Sequence, residues 1–132
     1  MLDRNPELIE RVRDALAAFN RGDFDRAVEI AHPDVVFIRP GGLSELRGAE
    51  NIRAWMEPDA FESQELEPTD LQTAGNRVLV RQHARARGAG SGIDVELDTW
   101  SVWTFDGDGR VTRVESFSDQ EEAEALSALR AP

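Results

Sequence analysis

Residues 78–105 read Val78-Leu-Val-Arg-Gln-His-Ala-Arg-Ala-Arg87, then Gly88-Ala-Gly-Ser-Gly-Ile93, then Asp94-Val-Glu-Leu-Asp-Thr-Trp-Ser-Val-Trp-Thr-Phe105. Two runs of alternating character flank a glycine-rich turn, the pattern of a long β-hairpin. A loop from Gly88 to Ile93 sets Arg87 opposite Asp94, Arg85 opposite Glu96, His83 opposite Asp98 and Arg81 opposite Trp100. Directly opposed residues share a face. One face is therefore a ladder of opposite charges. The other carries Val78, Val80, Gln82, Ala84, Ala86, Val95, Leu97, Thr99, Ser101 and Trp103 and is predicted to be the inside. A slip of one residue would bury the arginines and expose the valines, so the burial pattern itself supports the register.

The surrounding chain supplies helices and further strands. Asn5 as cap, Pro6 in the first turn and an apolar stripe of Leu8, Val12, Ala15, Leu16 and Phe19 predict a helix ending at Gly22. Asp23 opens a second, short helix to about Ala31, stopped by Pro33. Val35 to Ile38 is a strand halted at Pro40-Gly41-Gly42, Gly41 to Arg47 is loop, and Ala49 to Met56 is a helix carrying Trp55. Phe61 to Ala74 reads as a strand interrupted at Pro68, with Gly75-Asn76 as the turn into the hairpin. After Phe105, Asp106-Gly-Asp-Gly109 returns the chain as a strand from Arg110 to Ser118. Asp119 caps a last helix from Gln120 to Leu129, whose narrow apolar stripe suits a rim position or a neighbouring molecule. Helices first and a strand meander afterwards make an α+β fold, and 132 residues make one domain, 1–132.

Composition narrows the function classes. A formal charge of −11 and no basic cluster argue against nucleic acid or an anionic membrane surface. All 15 cationic residues are arginine. Without cysteine there is no disulfide, thiolate nucleophile or cysteine metal site. The two histidines, His32 and His83, lie too far apart for metal-ligand spacing, so neither metal nor cofactor is expected. No leader pattern or membrane-length apolar run is present, and a cytoplasmic protein is the expectation.

Ala18-Phe-Asn-Arg-Gly-Asp-Phe24, His32-Pro-Asp-Val-Val-Phe37, Arg47-Gly-Ala-Glu-Asn-Ile52, Val102-Trp-Thr-Phe-Asp-Gly-Asp-Gly-Arg-Val111 and Asp119-Gln-Glu-Glu-Ala123, in this order and spacing, resemble the SnoaL-like branch of the nuclear transport factor 2-like (NTF2-like) superfamily. The resemblance spans about residues 8 to 129. It implies a cone of three N-terminal helices on a curved, mainly antiparallel sheet with a short C-terminal helix. It also implies an interior pocket and, often, a homodimer through the outer sheet face. The superfamily includes ketosteroid isomerases, polyketide cyclases and epoxide hydrolases, so the fold does not select a reaction.

The resemblance places the base aspartate of ketosteroid isomerases at Arg39 and the two oxyanion-hole donors at Ala15 and Ser101, so all three groups are absent. The Glu-His-Trp-Asp run of SnoaL-type cyclases falls at Arg113-Val-Glu-Ser116. What remains is a pocket protein that binds or transforms a small apolar molecule without a cofactor, or a binding or dimeric interaction module with no activity. The expected lining is Phe19, Trp55, Gln82, Thr99, Ser101, Trp103, Val114 and Ser116.

Two reserve catalytic candidates stand beside that lining. Arg39 suits a carboxylate or an ion pair with Glu45 or Glu50. Glu115 enters the pocket if the last hairpin has a three- or five-residue loop with a bulge; a two- or four-residue loop puts Val114 and Ser116 inside instead. His83 facing Asp98 resembles part of a catalytic triad, but no Ser or Cys shares that face nearby, and a charge ladder explains the pair. Leu79, Arg81, His83, Trp100 and Val102 form the expected dimer face, where Trp100 and its aliphatic neighbours would be exposed.

Overall fold

The computed structural model of the chain describes residues 6–39, 44–56 and 61–130, with the backbone alone for 61 and 62. Asn5 as helix cap and the Pro40-Gly41-Gly42 stop lie outside these residues. The elements are α1 (Pro6–Asn20), α2 (Phe24–Val28), β1 (Ala31–Ile38), β2 (Glu45–Arg47), α3 (Ala49–Met56), β3 (Phe61–Ala74), β4 (Arg77–Gly88), β5 (Asp94–Phe105), β6 (Val111–Ser118) and α4 (Glu122–Arg130). A 3₁₀ turn, Asp119–Glu121, leads into α4. The six strands form one sheet in the order β2-β1-β6-β5-β4-β3, antiparallel except where β1 runs parallel to β6.

The central hairpin has the predicted register from Arg77 opposite Thr104 to Arg87 opposite Asp94. Its inner face meets α1. Leu8, Ile9, Val12 and Leu16 pack with Val35, Ile52, Leu71, Val78, Val80, Phe105, Val111 and Val114 into the main core. Each fully buried aliphatic or aromatic side chain of this kind contributes roughly 1.5–3 kcal/mol. Helix α1 is also tied to the edge strand. The Asn20 side chain donates to the Leu66 carbonyl at 2.8 Å and accepts from the Leu66 N–H at 2.7 Å, as a neighbouring strand would. Gly22, at φ +80°, turns the chain out of α1.

The helices do not cover the whole inner face. A 15-residue helix is about 22 Å long, whereas a 12-residue strand runs about 40 Å, so the hairpin overhangs α1. Val95 and Leu97 lie on the predicted inner side yet remain 44% and 48% exposed. The prediction that the entire apolar face is interior holds for Val78, Val80 and Ser101, which are buried, holds in part for Gln82, Ala84, Ala86, Thr99 and Trp103, and fails at Val95 and Leu97.

Several boundaries differ from the sequence expectation. Helix α2 ends at Val28, and Ala31 already pairs with Val111, so Pro33 sits within β1 rather than ending a helix. His32 lies in the same strand, and its Nδ1 accepts from the Asp34 N–H at 3.0 Å. Part of the expected 41–47 loop is strand β2. Strand β3 runs through Pro68 by means of a register shift between Pro68 and Asp70. The last helix is capped by Ser118, whose N–H and hydroxyl both donate to the Glu121 carboxylate. Asp119 binds Arg81 instead.

The position of α4 departs most from expectation. It lies against the outer face of its own sheet, where Ala125 and Leu129 join Leu79, Trp100, Val102 and Phe117 in a second core. Leu79, Trp100 and Val102, nominated as an exposed dimer contact, are 1%, 6% and 3% exposed. The stripe that looked too narrow for its own core fits because the sheet presents a matching narrow patch between charged residues.

Candidate functional site

The inner face becomes polar as the main core ends. One row across the sheet is Thr73, Val78, Trp103, Val114 and Phe37. The next is Leu71, Val80, Ser101 and Ser116, followed by Pro68, Gln82, Thr99 and Ser118. An apolar wall thus gives way to a floor of hydroxyls and one amide. Of the predicted lining, Gln82, Thr99, Ser101, Trp103, Val114 and Ser116 come together here.

The floor residues differ in what they hold. Ser101 is buried, and its Oγ accepts a 2.9 Å hydrogen bond from Trp103 Nε1, which fixes the indole. Ser118 is engaged by Glu121. Gln82, Thr99 and Ser116 are partly buried, and their side chains make no hydrogen bond to any described residue. Polar groups of this kind are satisfied by water or a ligand.

Two predicted wall residues stand elsewhere. Phe19 is buried in a cluster with Ala18 and Ala27, its ring 5.8 Å from Phe24, and belongs to the roof packing. Trp55 is 48% exposed on α3 and rests against Phe37 with ring centroids 5.4 Å apart, which puts it at the rim. Phe37 was missed by the sequence reading. Its alternation with Val35 in β1 was the signal that put it on the inner face.

Glu115 is outside. Strand β6 combines a five-residue loop with a bulge: Phe105 pairs with Val111, but Thr104 pairs with Arg113, leaving Thr112 as the extra residue. The expectation that a five-residue loop with a bulge would bring Glu115 inside is thus overturned: the odd loop and the bulge cancel in parity, so Val114 and Ser116 point inward and Glu115 lies opposite Val102 on the outer face. There it pairs with Arg113 at 3.3 Å. The loop is held by Asp106, whose Oδ1 accepts from the N–H groups of Arg110 and Asp108 at 3.0 and 2.9 Å. These bonds, that of Arg110 foremost, hold the Asp106 carboxyl below its usual range.

Arg39 does not form the ion pair expected with Glu45 or Glu50. Glu45 is taken by Arg47 at 2.9 Å. Arg39 donates its backbone N–H to the Ser44 carbonyl, and its Nε is buried with no hydrogen-bond partner. An unmet buried donor costs about 1–3 kcal/mol.

On the outer face His83 Nδ1 lies 2.9 Å from Asp98, and Nε2 lies 3.7 Å from Glu96. The Asp98 hydrogen bond raises the His83 pKa above its ordinary value. No serine or cysteine opposes it: its cross-strand neighbours are Glu67 and Asp98. Among the described residues no group of three or more His, Cys, Asp or Glu is arranged to hold a metal ion.

Among the described residues three open surface clefts lie outside the centre of the floor, the first reaching its edge at Leu71 and Pro68. One of about 310 Å³ separates α1 from β3 at Ile9, Arg13 and Pro68. Another, of about 470 Å³, lies between α1, α2 and the β5–β6 turn. The largest, about 660 Å³, is at the hairpin overhang and involves Gln64, Arg87, Asp94 and Val95. None of the three is lined by Trp103, Thr99 or Ser116. Among the described residues no helix is long and apolar enough to cross a membrane.

An α+β cone with an inward-facing floor of this kind is the architecture of the NTF2-like superfamily. Residues 12–114 match the SnoaL-like domain model, and the chain belongs to that family. An NTF2-like protein of unknown function from Burkholderia pseudomallei is 24% identical, with 95% of this chain and 98% of that one covered, at a TM-score of 0.75. TerC, crystallised with polyporic acid, is 25% identical over 92% of this chain and 96% of its own, at 0.73. An LEH-like epoxide hydrolase of M. tuberculosis is 21% identical over 94% of this chain and 92% of its own, at 0.75. No curated protein matches the sequence.

Proposed function

We propose that the cone interior binds a small apolar molecule, held between Trp103, Val114 and Phe37 on one side and the floor of Gln82, Thr99 and Ser116 on the other. The observation that carries this reading is the set of three partly buried polar side chains without a described partner beside an apolar wall. Ligand sites commonly have that composition, apolar with a few convergent polar groups. The co-crystallisation of TerC with polyporic acid supports a small-molecule role for this fold.

Binding is favoured over proton-transfer chemistry by the alternation of the strands. The inward positions of β4, β5 and β6 carry no carboxylate and no imidazole, and Glu115, the reserve acid, faces outward. A general base must come within hydrogen-bond reach of the proton it removes. Transformation remains the second reading, supported by the epoxide hydrolase among the structural neighbours.

Native mass spectrometry of freshly purified protein tests the binding reading. A bound small molecule is expected, and Thr99→Trp, which fills the floor, is expected to release it. A folded protein that carries nothing and takes up no apolar compound from a screen overturns the reading. We also propose that two copies associate through the part of the outer face that α4 leaves open, the charged columns around Arg81 and His83. Light scattering that finds a monomer at micromolar concentration and low salt removes this proposal.

A further inference from the structure

Two side-chain nitrogens among the described residues are buried without a hydrogen-bond partner, Arg11 Nε and Arg39 Nε. The Arg11 guanidinium still reaches Glu7 through Nη2 at 3.5 Å. The Arg39 guanidinium has no hydrogen bond and no ion pair with any described residue. The acids nearest to it along the sheet are committed elsewhere: Glu45 to Arg47, and Glu115 to Arg113 on the opposite face.

The strand register places this cation at the edge of the polar floor. Ile38 pairs with Glu115 in the parallel β1–β6 ladder. Arg39 is the residue after β1, and its N–H still bonds the Ser44 carbonyl as a further rung toward β2; continued alternation from Phe37 directs it to the inner face, to which Ser116 belongs on β6. A guanidinium without a counter-charge thus borders a hydroxyl, and beyond it lie Thr99 and Gln82, none of them hydrogen-bonded to a described residue. A partly buried cation is stabilised once an anion pairs with it, and a guanidinium matches the two oxygens of a carboxylate.

We infer that Arg39 is the anchor of an anionic group and that the molecule taken up by the cone is a small apolar acid with one carboxylate-type anion. This rests on the binding reading above and adds the head group to it. The apolar body lies along Trp103, Val114 and Phe37, the anion meets Arg39, and Ser116 donates its hydroxyl to an anion oxygen. The chain as a whole, at −11, repels anions at long range. A preference for an acid must therefore come from a local cation.

Two fluorescent probes with the same aromatic body separate the effects: 1-anilinonaphthalene-8-sulfonate, which is anionic, and N-phenyl-1-naphthylamine, which is neutral. The wild-type protein is expected to bind the sulfonate about tenfold more tightly than the amine. Arg39→Gln should remove that preference while the affinity for the amine stays unchanged, and Thr99→Trp should expel both. Equal binding of the two probes by the wild type, or a sulfonate preference that survives Arg39→Gln, overturns the anion inference and leaves the cone site standing. Failure of both probes to bind the wild type, or binding of both that persists in Thr99→Trp, overturns the cone reading itself. If circular dichroism shows Arg39→Gln unfolded, Arg39→Lys decides. The ammonium should retain a reduced sulfonate preference, and its loss in a folded Arg39→Lys protein counts against the inference.

Discussion

The Arg81 guanidinium lies 4.6 Å from the centroid of the Trp100 ring and also pairs with Asp119, the first residue of the turn that leads into α4. The Trp100 Nε1 in turn donates to the Asp119 carbonyl at 3.3 Å. One tryptophan therefore holds the C-terminal helix to the sheet by packing, by a hydrogen bond and through the arginine above it. Trp100→Ala is expected to cost about 3–5 kcal/mol, the range for emptying a buried aromatic site. Arg81→Ala, which removes the partly buried cation over the ring and its ion pair with Asp119, should cost about 1 kcal/mol. Urea unfolding of both variants makes the comparison, and similar small losses would mean that α4 is not anchored here.

The bulge in β6 is one residue. Deleting Thr112 removes it and leaves Arg113 opposite Thr104 and Val114 opposite Trp103, so no side chain changes face and cooperative thermal unfolding by circular dichroism is expected to survive. An alanine inserted after Arg113 would instead turn Glu115 toward the core and Val114 outward, and loss of cooperative unfolding is expected. Thr112→Ala keeps the residue count and loses only the 3.3 Å bond from the hydroxyl to the Thr104 carbonyl, so it should cost about 1 kcal/mol.

His83 gives stability a dependence on pH. It faces Asp98 and Glu96 on β5 and Glu67 on β3, with Arg81 and Arg85 flanking it on β4. Its pKa in the folded chain is raised above 6.5, chiefly by the Asp98 hydrogen bond. The imidazolium is thus favoured in the native state, and its contribution is fully present below pH 6.5 and lost as pH rises through the folded value. The stability difference between wild type and His83→Gln, measured by denaturant midpoints, should shrink from about pH 6 to about pH 9. A difference that grows over this range would reverse the assignment.

The overhang predicts unequal sensitivity on the two faces of the hairpin. Leu97, 48% exposed, should tolerate Asp with a stability change within about 0.5 kcal/mol, whereas Leu79→Ala, at a site 1% exposed, should cost about 2–5 kcal/mol. Denaturant titration of the isolated chain, with the mass followed by light scattering, makes the measurement. A large loss in Leu97→Asp, accompanied by a change in mass, would show that a second molecule covers the overhang in solution.

The hairpin register, helices α1 and α3 and the inner identities of Gln82, Thr99, Ser101 and Trp103 were legible in the chain because each follows from a local period and a charge pattern that only one alignment satisfies. The side of the sheet that α4 covers was not legible. Its stripe of Leu126 and Leu129 carries no record of which partner surface it meets, and Trp100 looks exposed until that helix is in place. The facing of Glu115 was likewise undetermined, because loop length and bulge each invert the strand and only their sum matters. Helix length against strand length decided how far the core reaches.

Alternation along the strands, a nearest-neighbour property, is what the sequence by itself determined about this protein. Which side chains are covered and which polar groups are left without partners, Arg39 above all, were settled by the tertiary structure. Burial arises from contacts between segments far apart in the chain, and no local pattern encodes them.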